Sequence, residues 1–169
     1  MSTLRVDNIQ DQSGAERRGL KTYAIICDEK ADTASGGTFT SGAWRTRDLN
    51  TTIADPDSIV SIASNQFTLG AGSYLIEASA VGFYINRHQL RLYNATTATA
   101  IQYGINMYAI PNFSVQNNAI VSARVTIAGS TTFEIQHRCQ TTQATNGFGL
   151  DNSFGGTSIF TIVKIFKEA

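Results

Sequence analysis

Apolar and polar side chains alternate with a period of two residues along most of this chain. The clearest runs are GSYLIEASAVGFYI (72–85), HQLRLYN (88–94), AIVSARVTIAG (119–129) and TTFEIQHRCQTT (131–142). Such alternation is typical of β-strands that bury one face, and turn residues separate the runs. No stretch keeps a period of 3.6 residues. The pattern therefore predicts an all-β, antiparallel sandwich or barrel of about seven or more strands, with minimal helix.

Two further predicted strands, YAIIC (23–27) and SIFTIVKIF (158–166), are apolar on both faces. In the second, the alternation predicts two sets of side chains on opposite faces: Phe160, Ile162 and Phe166 on one, and Ile159, Val163 and Ile165 on the other. A strand with one wet face should alternate, so both faces of these strands must be covered. We expect them to lie side by side, between the core and a second copy of the chain. The alternative is that both are central strands capped by loops.

The first 21 residues differ from the rest, because they hold too few large apolar groups to form a core. We therefore predict an extended anchoring segment at 1–21 and a β-sandwich domain at 22–169. The alternation of Leu4, Val6 and Ile9 would let the segment add a strand to the edge of another protein's sheet. Arg5, Arg17 and Arg18 would pair with acidic groups on that surface. Composition alone favours the alternative of a disordered tail.

Charge and cysteine content narrow the range of functions. Lys plus Arg equals Asp plus Glu at 13 each, so no overall field favours nucleic acid or an anionic membrane as a partner. No window reaches the roughly 18 apolar residues of a membrane span, and no apolar signal-peptide core is visible at the N-terminus. Cys27 and Cys139 are expected to be small buried hydrophobes, although a disulfide between them is an alternative.

A family resemblance rests on two segments, NQFTLGAGSYLIEASAVGF (65–83) and GGTSIFTIVKIF (155–166). The first has an aromatic-x-hydrophobic strand end, a glycine turn and then Gly-x-Tyr-x-hydrophobic. Together they resemble the tumour necrosis factor and complement globular-head superfamily, over about residues 22–167. The resemblance implies a trimeric jelly-roll β-sandwich whose first and last strands lie near the threefold axis. The implied homotrimer interface comprises Tyr23, Ile25, Tyr74, Phe160, Ile162 and Phe166.

The opening MSTLRVDNIQDQSG (1–14) is similar to the starts of many phage structural proteins, especially those of marine phages. This resemblance implies an attachment peptide that binds other virion proteins, and it implies localisation in a virion assembled in the host cytoplasm. We expect a bacteriophage structural protein, either a short fibre, a knob or a decoration protein of tail or capsid. The alternative is a capsid cement that never contacts a cell. The anchoring residues would be Leu4, Arg5, Val6, Ile9, Arg17 and Arg18.

The sequence contains no catalytic, cofactor or metal motif that we recognise. His88 and His137 are the only histidines and lie outside metal-binding spacings, and we expect His137 to pack in the core beside Cys139. No G-x-S-x-G motif is present. We therefore predict no enzyme activity, no cofactor and no metal. The alternative is a glycan-active enzyme that uses Glu77 and Glu134 as its carboxylate pair. We expect both to be solvated surface residues instead.

Two loops rich in aromatic and amide groups, at 104–118 and 143–154, are candidate recognition surfaces on a rigid sandwich. Four of their residues are suited to stack on or hydrogen-bond a host surface glycan: Tyr108, Phe113, Asn146 and Phe148. Core or interface roles for Tyr108 and Phe113 are the alternative. In Trp44-Arg45-Thr46-Arg47, we expect Trp44 to pack while its neighbours face water.

Overall fold

The computed structural model describes residues 22–108 and 114–168, and every structural statement below refers to these ranges. The predicted anchoring segment at 1–21 and the candidate residue Phe113 lie outside them. Within them there is no helix, and hence none long and apolar enough to cross a membrane.

Twelve β-strands form the described part of the chain, which confirms the all-β prediction. The long strands coincide with the runs of alternating residues, because period-two alternation places every second side chain on the buried face. In chain order the strands are β1 Tyr23–Ala31, β2 Arg45–Thr46, β3 Thr51–Ala54, β4 Val60–Ala63, β5 Gln66–Leu69, β6 Gly72–Phe83, β7 Arg87–Asn94, β8 Thr99–Tyr103, β9 Met107–Tyr108, β10 Gln116–Ile127, β11 Thr131–Cys139 and β12 Thr157–Lys167.

The strands pair into two antiparallel sheets. The first sheet has the order β10-β6-β12-β1-β3, and the second has the order β4-β5-β11-β7-β8, with β2 beside β11 and β9 beside β7. Apart from the β4–β5 and β7–β8–β9 connections, each step along the chain crosses to the other sheet. This alternation between facing sheets is the jelly-roll arrangement, so the predicted fold class is confirmed.

The core lies between the sheets and is built from the inward residues of the alternating strands. Val121 and Ala123 of β10 and Phe133 and Ile135 of β11 are all buried in one hydrophobic cluster. The rings of Phe67 and Phe133 stack at 5.6 Å between centroids. The predicted inward faces of β10 and β11 are therefore correct, and Cys139 is buried as expected.

The first and last strands lie side by side, as predicted, with Tyr23 opposite Phe166. Both are central strands, since β12 also pairs with β6 and β1 with β3. The predicted faces of β12 are wrong at its start. The register shifts so that Asp28 lies opposite Thr161 while Glu29 lies opposite Ile159, which leaves Phe160 as an extra residue. Such a β-bulge turns Phe160 inward and leaves Ile159 outside.

Arg47 holds this bulge in place from inside the sandwich. Its side chain is fully buried, and its Nη2 donates to the carbonyl oxygens of Phe160 at 2.9 Å and Phe148 at 2.8 Å. Its Nε donates to Thr161 Oγ1 at 2.8 Å. Burial lowers the pKa of Arg47 to about 10. The expectation that Arg47 faces water is therefore wrong, because the main-chain carbonyls at the bulge need a buried donor.

Candidate functional site

The outward face of the first sheet is the first candidate site. Side chains there form three rows across β1, β12, β6 and β10. We call these rows the apolar face: Tyr23, Phe166, Leu75 and Arg124; Ile25, Lys164, Glu77 and Ser122; and Cys27, Ile162, Ser79 and Ile120. Large apolar groups occupy positions in all three rows, and the single acid and base of the middle row are direct cross-strand neighbours.

Several of these apolar side chains are open to solvent. Leu75, Ile120 and Phe166 keep 38%, 44% and 36% of their surface exposed. Ile162 and Ile120 line a shallow pocket of about 230 Å³ between β12 and β10. Apolar groups aligned in this way gain free energy when another surface covers them. Chemically, the apolar face is therefore suited to contact with another apolar surface.

The residues predicted for a homotrimer interface divide between this face and the core. Tyr23, Ile25, Ile162 and Phe166 lie on the apolar face. Tyr74 and Phe160 are only 1% and 3% exposed within one chain, so the prediction that a second copy contacts them is corrected.

Two separate causes bury these aromatic residues. Tyr74 belongs to the inward set of β6, and its hydroxyl donates to the Gly70 carbonyl at 3.0 Å. The bulge in β12 turns Phe160 onto Gly149, where an added Cβ would overlap the Phe160 ring.

The predicted glycan-binding residues also separate. Phe148 is half-buried, with its ring stacked on Phe39 at 4.3 Å and the Arg47 guanidinium 4.4 Å from its centroid. Both contacts hold it in the fold, so the prediction that it stacks on a sugar is wrong. Asn146 lies in the 144–148 turn, where its side-chain oxygen accepts from Gln143 at 3.0 Å. Tyr108 is 55% exposed and lines a groove.

That groove, on the outward face of the second sheet, is the second candidate site. It has a volume of about 760 Å³. We call it the Trp44 groove, and its lining comes from four segments: Ser41, Gly42 and Trp44 before β2; Arg87, His88 and Gln89 of β7; Asn106, Met107 and Tyr108 at β9; and Arg138, Cys139 and Gln140 at the end of β11. Volumes of roughly 300–1,000 Å³ are usual for small-molecule sites.

His88 lines the Trp44 groove and forms a buried pair with His137. His88 Nε2 is 2.6 Å from Asn117 Oδ1, and because that oxygen accepts, His88 Nε2 carries a proton. His88 Nδ1 then accepts from His137 Nε2 at 2.9 Å. His137 Nδ1 is left without a partner among the described residues. The core position expected for His137 is correct, whereas the pairing with His88 was not predicted.

Electrostatics keep these two imidazoles neutral. Burial, the charge of Arg47 and the neighbouring His88 hold the pKa of His137 well below its usual range. Burial also lowers the pKa of His88, although the hydrogen bond to Asn117 opposes the shift. Protonation of His137 would place a hydrogen on an atom that faces no acceptor. The pair is therefore a structural unit that resists charging.

The residues considered for chemistry are not brought together. Glu77 lies on the apolar face, while Glu134 lies on the outward face of the second sheet and accepts from Gln66 Nε2 at 2.7 Å. The two carboxylates thus point away from each other, on opposite sides of the sandwich. Burial raises the pKa of Cys139 to about 11, so its thiol stays protonated. The described residues contain no cluster of three or more metal-ligating side chains.

Comparisons with known proteins find likeness in structure. No protein-family model matches this sequence, and no curated protein does. The globular domain of the zebrafish complement 1qA protein superposes with a TM-score of 0.57 at 13% identity, covering 88% of this chain and 98% of that chain.

Two further solved structures superpose comparably. Eiger TNF from S. frugiperda gives a TM-score of 0.61 at 9% identity, covering 89% of this chain and 94% of that chain. Murine APRIL gives 0.55 at 6% identity, covering 87% and 98%. At these identities the likeness establishes the jelly-roll fold, in agreement with the strand order described above.

Proposed function

We propose that this protein is a non-enzymatic, homotrimeric jelly-roll knob that associates through its apolar face. The observation that carries the proposal is the set of exposed apolar rows on the first sheet, with Leu75, Ile120 and Phe166 each more than one-third exposed. Burial of apolar surface contributes roughly 25 cal/mol per Å². A folded chain that displays these side chains on β6, β10 and β12 gains stability when a second copy covers them.

Charge on the apolar face favours a like copy as the partner. Glu77 and Lys164 are cross-strand neighbours in its middle row, and Arg124 of the first row is ion-paired with Glu168 at 2.7 Å, so each charge on the face has an opposite charge beside it. Identical faces can therefore meet without like-charge repulsion. Threefold closure is supported by the superfamily resemblance of the sequence, and a closed ring leaves no apolar edge exposed.

We further propose that the trimer is a structural protein of a bacteriophage virion, anchored by residues 1–21 and presenting its knob outward to the host surface. Support for the virion comes from the similarity of MSTLRVDNIQDQSG to the starts of phage structural proteins. The anchoring residues would be Leu4, Arg5, Val6, Ile9, Arg17 and Arg18. Three linked copies of a weakly binding segment hold far more tightly than one, because the later contacts form at high effective concentration.

Deletion of residues 1–21 tests the anchor separately from the knob. We expect the truncated protein to remain trimeric by light scattering and to lose cosedimentation with purified virions that lack this protein. The matched control replaces the segment by a Gly/Ser sequence of equal length. Retention of either altered protein on virions would contradict the anchoring role, and a monomeric full chain would contradict the knob.

A further inference from the structure

The Trp44 groove has side walls that the fold fixes before any ligand arrives. On one side, Ser41 N donates to Thr142 Oγ1 at 3.0 Å, and Arg45 Nε donates to the Thr40 carbonyl at 3.2 Å. On the other side, Tyr108 pairs in register with Arg87 at the start of β7. A site whose walls are already ordered loses less conformational entropy on binding. The groove is therefore a preformed cleft.

Charge in this groove is unbalanced, although the chain as a whole is neutral. Its lining contains Arg87 and Arg138 and no Asp or Glu. The described residues include six arginines, and four of them have polar partners. Arg45 and Arg47 bind main-chain oxygens, Arg91 binds Gln136 and Arg124 binds Glu168.

Arg87 and Arg138 are the exceptions. Within the described ranges, neither guanidinium has a hydrogen-bond or ion-pair partner, and both residues are exposed. Arg87 instead lies 5.7 Å from the centroid of the Tyr108 ring, which holds it at the groove wall. Two unpaired guanidinium groups on one cleft present donors in the fork geometry that binds carboxylate, sulfate or phosphate oxygens.

Aromatic and amide groups complete the lining. Trp44, the only tryptophan of the chain, is half-buried at the groove, and the Arg91 guanidinium lies 4.4 Å from the centroid of its indole ring. Tyr108 supplies a second exposed ring on the opposite side. The side-chain amides of Gln140 and Asn106 add hydrogen-bond donors and acceptors. Aromatic faces with convergent polar groups suit a ligand that has an apolar ring face and hydroxyl edges.

We propose that the Trp44 groove binds an acidic saccharide, whose carboxylate or sulfate lies on Arg87 and Arg138 and whose sugar ring stacks on Trp44 or Tyr108. A neutral sugar would leave the two guanidinium groups without the charge they are placed to bind. This inference names a ligand class for the proposed contact with a host surface, and its biological role rests on that proposed function. The binding itself stands on the geometry of the groove.

The test uses the full-length protein and saturation-transfer NMR with defined oligosaccharides. The acidic probes are the tetramer of galacturonic acid, a dimer of sialic acid and a chondroitin sulfate tetrasaccharide. The neutral control is the galactose tetramer, which differs from the first probe by a hydroxymethyl group in place of each carboxylate. We expect at least one acidic probe to bind about tenfold or more tightly than the neutral control. Raising NaCl from about 0.05 to about 0.5 M should weaken binding, since salt screens exposed charges.

Variants locate the binding. Arg87→Gln/Arg138→Gln removes both charges from exposed positions, so folding should be unaffected, and we expect affinity for the acidic probe to fall about tenfold or more. Trp44→Ala should weaken the same probe through loss of stacking. Lys167→Gln, on the first sheet and outside the rows of the apolar face, also removes one positive charge. It is the control and should bind as the wild type does. Thermal unfolding of each variant verifies that the fold is intact.

Three results would overturn the inference: no binding of any acidic probe, unchanged binding by the double variant, or equal competition by inorganic phosphate or a single-stranded oligonucleotide. The last would mean a general anion site. The molar mass of the same samples, measured by light scattering, distinguishes failure of this inference from failure of the proposed function. A trimer that binds no acidic saccharide overturns the groove alone, and a monomer that binds one overturns the trimeric knob alone.

Discussion

In both sheets alternate side chains of each strand point outward, but the two outward faces differ in what those side chains contact. On the second sheet, polar groups hydrogen-bond along the face: Glu134 accepts from Thr46 at 2.9 Å and Gln66 at 2.7 Å, and Arg91 donates to Gln136 at 2.8 Å. On the first sheet, the corresponding positions hold Ile25, Ile162 and Phe166. Polar side chains on the second sheet are hydrogen-bonded to their neighbours, and its exposed apolar groups, Ile101, Tyr103 and Tyr108, lie on the short strands β8 and β9. The first sheet exposes Leu75, Ile120 and Phe166 on three of its strands, and these side chains gain free energy when they are covered.

This difference separates two uses of a sandwich surface. Exposing a hydrogen-bonded polar face to water costs little free energy. Such a face can therefore remain uncovered and contain an open binding groove such as the Trp44 groove. An apolar face is unfavourable in water and specifies little by itself, which suits it to permanent association. These two roles, and the packing that supports them, can be tested by single substitutions and by a change of pH. The largest expected effect comes first.

Phe160→Asp should have the largest effect, because it places a carboxylate inside the core next to Gly149. Phe-to-Ala changes at buried sites already cost about 3–5 kcal/mol, and an unpaired buried charge adds to that. We expect loss of the folded state, measured by circular dichroism and by the yield of soluble protein. A folded, soluble Phe160→Asp protein would contradict the bulge that turns this residue inward.

Arg47→Met should follow, since it removes the donor that holds the bulge. The Phe148 and Phe160 carbonyls would lose their hydrogen bonds from Nη2, and each buried acceptor left without a donor costs about 1–3 kcal/mol. Urea unfolding measures the change in the free energy of unfolding. Arg45→Gln, at an exposed position two residues earlier, is the control and should stay within about 0.5 kcal/mol of the wild type. Equal effects of the two changes would argue against the buried role of Arg47.

Acid should destabilise the protein through the histidine pair. The pKa values of His88 and His137 are lowered in the folded state. Below about pH 6.5 the unfolded chain therefore binds protons that the folded chain does not bind, and the free energy of unfolding decreases as the pH is lowered. The loss approaches about 1.4 kcal/mol per pH unit for each histidine.

Asp28 opposes this trend at the acid end. Burial raises its pKa although Lys30 lowers it, so between its usual pKa and that raised value the folded state binds the extra proton. Urea midpoints between about pH 7 and pH 5 test the histidine slope. His137→Phe should flatten the slope, and an unchanged slope would contradict the assignment.

Glu134→Ala should have the smallest effect. Hydrogen bonds from Gln136, Gln66 and Thr46 lower the pKa of Glu134 against the opposing effect of burial. Their loss at this half-buried site should lower the free energy of unfolding by about 1–2 kcal/mol. Association should be unchanged, because Glu134 lies away from the apolar face. A shift in molar mass by light scattering would contradict the division between the two faces.

The long strands could be predicted from the sequence because alternation over eight to twelve residues is a strong signal, as in β6, β7 and β10. The short strands β2 and β9, with two residues each, are too brief to show a period. Pairing of the first and last strands was predictable from their shared apolar character.

Apart from Tyr74, whose burial follows from the inward face of β6, the errors arise from contacts between residues far apart in the chain. The bulge at Phe160 depends on a bond to Arg47, 113 positions away. Phe148 is covered by that same guanidinium, which no local pattern reveals. The Trp44 groove is likewise assembled from four segments. Tyr108 was predicted to take part in recognition. Strand pairing brings it next to Arg87 and places both residues in one groove with Arg138, which local sequence does not reveal. Tyr108 was therefore the one groove residue that the sequence indicated for recognition.

The central claim is that the apolar face is a homotrimer interface, and the most direct test is the mass in solution by light scattering behind a sizing column. The wild type, Ile162→Asp on the apolar face and Thr68→Asp on the second sheet would be compared. We expect three times 18.3 kDa for the wild type and for Thr68→Asp, and 18.3 kDa for a folded Ile162→Asp protein. A wild type that is monomeric at every concentration, or a trimeric Ile162→Asp protein, would contradict it.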